Sequence, residues 1–326
     1  MKFKKALSTV LTMAIAAASF CSCKVASEEV VSVRVGALSG PTTIGIVNLI
    51  NDSANGQLET DYQLTMATQP DEIAAAINAG DLDIALIPAN LAAVLYNRTE
   101  GGIRAIDINT YGVLYCISND DSISSVSDLA GKTVITTGQG ATPEYAINYL
   151  LDQYGVTDCT LDFKTEGAEV VASLQADPNQ IAILPQPAAT AALAQVEGLI
   201  SNFSLNDEWN SVSPDSAFVT GVTVVRTAFL EEHSDLVERF LVDHHNSVIK
   251  SGEDLEGTAQ LVVDQGIIGA VPVAQRAIPL CNIACVTGAD MKNDLSAYLQ
   301  TLFDANPQSI GGALPGDDFY WINSGN

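Results

Sequence analysis

Two short stretches place glycines and hydroxyls where a helix is about to begin: Ser39-Gly40-Pro41-Thr42-Thr43 and Thr136-Thr137-Gly138-Gln139-Gly140-Ala141-Thr142. A helix start leaves backbone N–H groups unpaired and carries partial positive charge, so it suits an anion or a polar acceptor. The hydroxyls of Ser39, Thr42, Thr43, Thr137 and Thr142 add donors. Two further stretches, Pro88-Ala89-Asn90 and Pro185-Gln186-Pro187, end short apolar runs. Asn90, Gln139 and Gln186 can read the hydrogen-bonding edge of a small molecule, and Tyr111, Tyr115 and Tyr145 can stack on a flat one. This is the chemistry of reversible capture. The same residues have a plainer reading as helix caps and, for Tyr145, as helix core.

Catalytic chemistry finds little footing. His233, His244 and His245 all fall in C-terminal helical runs, away from those stretches. Neighbouring residues on a helix point about 100° apart, so His244 and His245 are poorly placed to share a metal. Cys281 and Cys285 have no further ligand nearby in the chain, and no nucleophile–base pair, HExxH or Walker loop is present. No metal and no cofactor are expected. No lysine or arginine lies in the four stretches, although helix ends or Arg226 can substitute for an arginine fork. The expected ligand is therefore a neutral or weakly polar heterocycle, with an organic anion as the next choice.

The elements that must position these residues form a repeat. Glu72 to Tyr96 aligns without a gap on Glu169 to Leu193 at an offset of 97 residues, matching Ile84 with Ile181, Ala85 with Ala182 and Pro88 with Pro185. Each copy opens with apolar residues at i and i+4, Ile73 and Ile77 or Val170 and Leu174, and breaks at Gly80-Asp81 or Asp177-Pro178. A buried-strand run follows, Ile84 to Ile87 or Ile181 to Leu184, then a proline and a second helix. Upstream of each lie a strand, a glycine loop and a helix: Val31 to Val35 before Gly36 to Gly40, and Lys132 to Ile135 before Thr136 to Ala141. Thr142 is expected to cap its helix, with Pro143 at the first helical position and Gly155 closing it.

Alternating strands and helices predict parallel sheets, with ligands beyond the carboxyl ends of the strands. Two such units facing each other bring the four stretches to one cleft. Tyr111 to Ser118 and Ala217 to Arg226 are period-two runs that suit two strands crossing between the units as hinges. Ser234 is expected to cap a helical run, and the helices from there to the end are expected to pack on the first unit.

The chain of 326 residues has a net charge of −25, which excludes nucleic acid and peripheral attraction to anionic lipid. Lys2, Lys4 and Lys5 precede the apolar run Ala6 to Phe20, which is too short to span a bilayer and reads as an export signal. Its end, Phe20-Cys21-Ser22-Cys23, resembles the lipobox of bacterial lipoproteins, with Cys23 as the lipidated residue. Two acyl chains there give stable membrane anchoring. Of Cys116, Cys159, Cys281 and Cys285, the pair Cys281–Cys285 is the best placed for a bridge, although buried inert thiols suit the chain better.

The order of VRVGALSGPTT, EIAAAINAGDLDIALIP, SVSDLAGKTVITTGQGATPEYA and GVTVVRTAFLEEHSDLVERFL, with the ending ANPQSIGGALPGDDFYW, resembles the type II periplasmic-binding-protein superfamily. The similarity is to its branch for nitrate, sulfonates, taurine and thiamine precursors. It implies an α/β fold of two lobes, each a mixed, mainly parallel sheet flanked by helices, joined by a two-strand hinge. The boundaries expected are a signal peptide at 1–22, a lipidated linker at 23–30, one lobe of 31–113 plus 222–326, and a second of 114–221. The resemblance further implies a monomeric, membrane-anchored, extracytoplasmic protein that passes a small solute to an ABC permease. A pyrimidine-synthesis enzyme of the same fold and a surface sensor or adhesion module are the alternatives.

Overall fold

The computed structural model describes residues 32–323; the expected leader, Cys23 and the linker lie outside the described residues. The strands in chain order are β1 (Ser32–Leu38), β2 (Asp61–Ala67), β3 (Ile84–Pro88), β4 (Ile103–Tyr111), β5 (Leu114–Ser118) and β6 (Thr133–Thr137). They continue with β7 (Thr160–Lys164), β8 (Ile181–Pro185), β9 (Ile200–Ser204), β10 (Val219–Arg226) and β11 (Ile283–Val286). Two sheets result, one ordered β11-β4-β10-β3-β1-β2 and the other β7-β6-β8-β5-β9.

Each sheet is mixed, and its parallel part is built the same way. β1 pairs in parallel with β2 and β3, as β6 does with β7 and β8. Antiparallel strands then complete each sheet, beginning with β10 against β3 and β5 against β8. β5 follows β4 after only Gly112 and Val113, too short a link for a crossover helix.

The repeat maps onto matching elements. Helix Pro70–Ala79, β3 and helix Ala89–Arg98 correspond to helix Gly167–Ala176, β8 and helix Ala188–Gln195. Pro70 takes the first helical turn, Asp71 and Glu72 face the positive end of the helix, and Gly80 ends it at φ 82°. Ile73 and Ile77 are buried, as are Val170 and Leu174 in the second copy. β3 and β8 are buried along four consecutive residues, as strands covered on both faces must be.

The C-terminal helices depart from expectation. Helix Ser234–Glu253 begins after His233 with no side chain capping it. Helix Gly288–Ala305 packs on β4 and β10 but also on helix Thr142–Gln153, and helix Val271–Ala277 packs on helix Ala188–Gln195. The terminal helices therefore touch both sheet regions. The reason is aromatic: Tyr298 is fully buried against Trp209, ring centroids 5.4 Å apart, and Trp209 stacks on Phe218 at 5.1 Å. One continuous core consequently runs from β3 and β4 to β5 and β6. The four described cysteines are free, so no Cys281–Cys285 bridge forms; the Cys281 thiol contacts Ala277 O and the Cys285 thiol contacts Leu241 O.

Arg226, a possible ligand group from sequence, is already committed. Its Nη2 donates to Asp83 Oδ1 at 3.0 Å, and Arg34 Nε donates to Asp83 Oδ2 at 2.9 Å. Burial pushes the Asp83 carboxyl up, but the hydrogen bonds from Arg34 and Arg226 outweigh it and hold the group below its ordinary range. A depressed folded pKa contributes stability above the unfolded value, near 4, and loses it as pH falls through the folded one. Asp83→Asn should lower unfolding free energy at neutral pH by about 1–3 kcal/mol. Urea titrations at falling pH should show this deficit closing below about pH 4; a deficit independent of pH would contradict the ion-pair account.

Candidate functional site

The carboxyl ends of the parallel strands do face one another, but across two cavities. The larger, about 750 Å3, is lined by Pro88 and Asn90 after β3 and by Gly138, Gln139, Gly140 and Ala141 after β6. The smaller, about 310 Å3, is lined by Ser39 and Gly40 after β1, by Thr137, and by Gln186 after β8. Tyr145 also lines the larger cavity.

Several expected ligand groups are spent on the fold. Thr42 Oγ1 donates to Leu38 O at 3.3 Å, and Thr43 Oγ1 donates to the same carbonyl. Helix Pro41–Ile44 is a single turn, so its end carries little of the field expected of it. Thr142 is not a cap; helix Thr142–Gln153 starts after Ala141, and no side chain caps it. Instead Thr142 Oγ1 donates to Asn90 Oδ1 at 2.9 Å, and Asn90 Nδ2 donates to Ser309 O at 3.2 Å. Asn90 and Thr142 are both buried, so this chain of bonds joins the β3 end, the β6 loop and the C-terminal segment away from water. The Tyr298 hydroxyl is also fully buried and makes no hydrogen bond among the described residues. Gln186 is buried with its Oε1 accepting from Thr190 Oγ1 at 2.7 Å.

Tyr111 and Tyr115 line neither cavity. The Tyr111 hydroxyl donates to Asp294 Oδ2 at 2.6 Å and the Tyr115 hydroxyl to Leu280 O at 3.2 Å. Both rings sit where the chain passes between sheets, and burial pushes both phenols up, reinforced at Tyr111 by its hydrogen bond to Asp294.

The β6 loop keeps its special backbone. Gly138 has φ 81°, and a Cβ there would lie 2.7 Å from Pro143 Cγ, so only glycine fits. Gly140, at φ 73°, donates its N–H to Glu144 Oε2 at 2.5 Å. A carboxylate of the chain itself thus sits at the start of helix Thr142–Gln153, the position that favours negative charge.

Two basic residues missing from the four stretches enter the larger cavity. Lys164 is the last residue of β7, and Arg98 the last of helix Ala89–Arg98. Lys164 Nζ is 2.8 Å from Asp162 Oδ2, whereas Arg98 takes part in no ion pair among the described residues. Gln69, just beyond β2, and Gln308 and Ser309 complete the polar lining. The strand-end rule that pointed to Asn90 and Gln186 also reaches Gln69 and Lys164 once the edge strands β2 and β7 are recognised. For Arg98 and Ser309 the chain carries no local signal, because tertiary packing brings them in.

Residues 50–195 match the family described as ABC transporter, phosphonate, periplasmic substrate-binding protein. Over that span, somewhat less than half of its length, the chain is similar to the substrate-binding proteins of ABC importers. Solved structures share its fold at low identity. An ABC transporter protein from Parabacteroides distasonis superposes with a TM-score of 0.75 at 20% identity, covering 90% of this chain and 99% of that one. The periplasmic aliphatic sulphonate binding protein of Escherichia coli gives 0.69 at 14% identity, covering 90% and 94%. The alkanesulfonate-binding protein of Xanthomonas axonopodis pv. citri, bound to MOPS, gives 0.67 at 12%, covering 89% and 98%. No curated protein sequence matches. The architecture of this chain is the type II periplasmic-binding fold, and no helix among the described residues is long and apolar enough to cross a membrane.

Two cleft amides should now separate. Asn90→Ala leaves the Thr142 hydroxyl and Ser309 carbonyl without a partner and should cost about 1–3 kcal/mol of stability. Gln139 is exposed and its side chain makes no hydrogen bond among the described residues, so Gln139→Ala should stay within about 0.5 kcal/mol. Denaturant unfolding of both variants checks this; equal losses would contradict the structural role given to Asn90.

Proposed function

We propose that this chain is the solute-binding component of an ABC importer, which captures a small organic anion in the 750 Å3 cavity and hands it to the permease without chemical change. The observation that carries the reading is the meeting of Arg98 and Lys164 at one cavity, in a chain with 14 basic against 39 acidic residues. The four stretches carry no basic residue, but Arg98 and Lys164 reach the cavity from outside them, which favours the organic anion over a neutral heterocycle. The phosphonate family match and the sulphonate-binding relatives support the same ligand class.

Charge-assisted hydrogen bonds from Arg98 and Lys164 would hold an oxyanion group, the guanidinium fork adding orientation. The start of helix Thr142–Gln153 supplies further positive potential, with Glu144 giving up Gly140 N–H when the cargo arrives. Lobes of 31–113 plus 222–326 and of 114–221 would close about Gly112-Val113 and the segment before β10, biased by contacts that exist only in the closed form. Cys23 would carry the lipid that keeps this monomer at the outer face of the membrane.

Calorimetric titration with an alkylphosphonate, an alkylsulfonate, nitrate and a thiamine-type heterocycle tests the cargo. One of the anions should bind, and Arg98→Ala should weaken it about 10- to 100-fold, the worth of a charged hydrogen bond. Tight heterocycle binding that ignores Arg98→Ala would overturn the anion reading. For the anchor, Cys23→Ala should move the protein from the membrane fraction to the soluble one; unchanged membrane fractionation would defeat the lipidation.

A further inference from the structure

Away from the cleft, three side chains from three elements converge. Asp107 on β4, His244 on helix Ser234–Glu253 and Cys285 on β11 offer donor atoms that all lie within 4.8 Å of one another. Sequence spacing hides this group, since the tertiary fold supplies Cys285 with the partners its own neighbourhood lacks. We propose that Asp107, His244 and Cys285 bind one divalent cation of the zinc type, with a fourth position open to solvent.

The donor set fits that ion. Carboxylate, imidazole and thiolate are zinc ligands, and tetrahedral bonds of about 2.0–2.3 Å place neighbouring donors about 3.3–3.8 Å apart. His244 Nδ1 and Asp107 Oδ2 already stand 3.0 Å apart. The longest separation has at most about 1 Å to close, a rotation within reach of the half-buried Cys285 side chain, whose one hydrogen bond among the described residues is a loose 3.7 Å contact to Leu241 O. Outer support is present for Asp107, whereas His244 Nε2 is buried without a hydrogen-bond partner among the described residues, so on that side the ring is held by packing alone. Thr223 Oγ1 donates to Asp107 Oδ1 at 2.7 Å and is itself held by Asn109 Nδ2 at 3.2 Å, which orients the carboxylate and leaves Oδ2 pointing at the ring.

Charge argues the same way. Asp107 and His244 are fully buried, and among the described residues no lysine or arginine pairs with that carboxylate. A divalent ion beside one carboxylate and one thiolate makes a site of zero net charge, which lowers the cost of keeping it out of water. On binding, the metal–sulfur bond forms as the Cys285 proton leaves to solvent, and the neutral imidazole carries its proton on Nε2. The entry path is a cavity of about 440 Å3 lined by Cys285, His245, Glu238 and Thr287, which shares no lining residue with the solute cavities. Water or a small anion from that cavity takes the fourth position.

The untagged chain, stripped with chelator, is titrated with cobalt(II) and then zinc(II). One cobalt per chain should appear with a thiolate-to-metal charge-transfer band and the intense visible absorption of tetrahedral cobalt, and zinc should displace it. Cys285→Ser should abolish the charge-transfer band. Thr223→Val, which keeps the ligands but removes the bond orienting Asp107, should weaken zinc binding about 10- to 100-fold. Absence of the band in the parent chain, its survival in Cys285→Ser, or unchanged zinc affinity in Thr223→Val would each overturn the site.

Discussion

Two sheets that present strand ends to each other bury polar groups where they meet, and the Thr142–Asn90–Ser309 chain of hydrogen bonds pairs three of them, while the Tyr298 hydroxyl stays unpaired among the described residues. These bonds lie in a region of low dielectric, where a satisfied bond is strong and an unsatisfied group is costly. Any opening of the cleft that separates Asn90 from Thr142 must hydrate or re-pair both. The neighbouring aromatic cluster of Trp209, Phe218 and Tyr298 sets a second limit, since parting those rings would expose the most deeply buried large side chains of the molecule. Together they leave the cleft mouth, with Gln139, Arg98 and Lys164, as the part free to answer a ligand.

Electrostatics then decides what kind of ligand suits that mouth. A net charge of −25 repels anions at long range, but salt screens exposed charge beyond about 8–10 Å. Over the last few ångströms the cavity offers Arg98, Lys164 and the start of a helix, set against Asp71 in the lining, Asp162 paired with Lys164, and Glu144 on Gly140 N–H. Glu144 at Gly140 N–H shows that this helix start accepts a carboxylate. Among the remaining basic groups Arg34 and Arg226 are bound to Asp83, and Arg104 and Lys292 to Asp318 and Asp317, so they serve the fold.

Much of this was legible in the residues. The repeat around Ile84 and Ile181 is visible because buried strands demand continuous apolar runs, and prolines end both. Asn90 and Gln186 stand out because strand ends are where such sheets expose polar groups, yet both amides proved tied into local bonds. Thr142 has the residue type of a cap, but a partner 52 positions away takes its hydroxyl, and no local rule foresees that. Tyr111 and Tyr115 were plausible stacking faces until strand register turned them to Asp294 and Leu280 O. Arg98, Ser309 and the Asp107–His244–Cys285 group depend wholly on tertiary approach, which a one-dimensional pattern does not record.

The most direct test of the central claim is anomalous diffraction from crystals grown with a bromoalkylsulfonate. The account predicts a bromine peak in the larger cavity with the sulfonate oxygens on Arg98 and Lys164. A peak in the smaller cavity beside Gln186, or sulfonate oxygens turned away from both basic side chains, would contradict it.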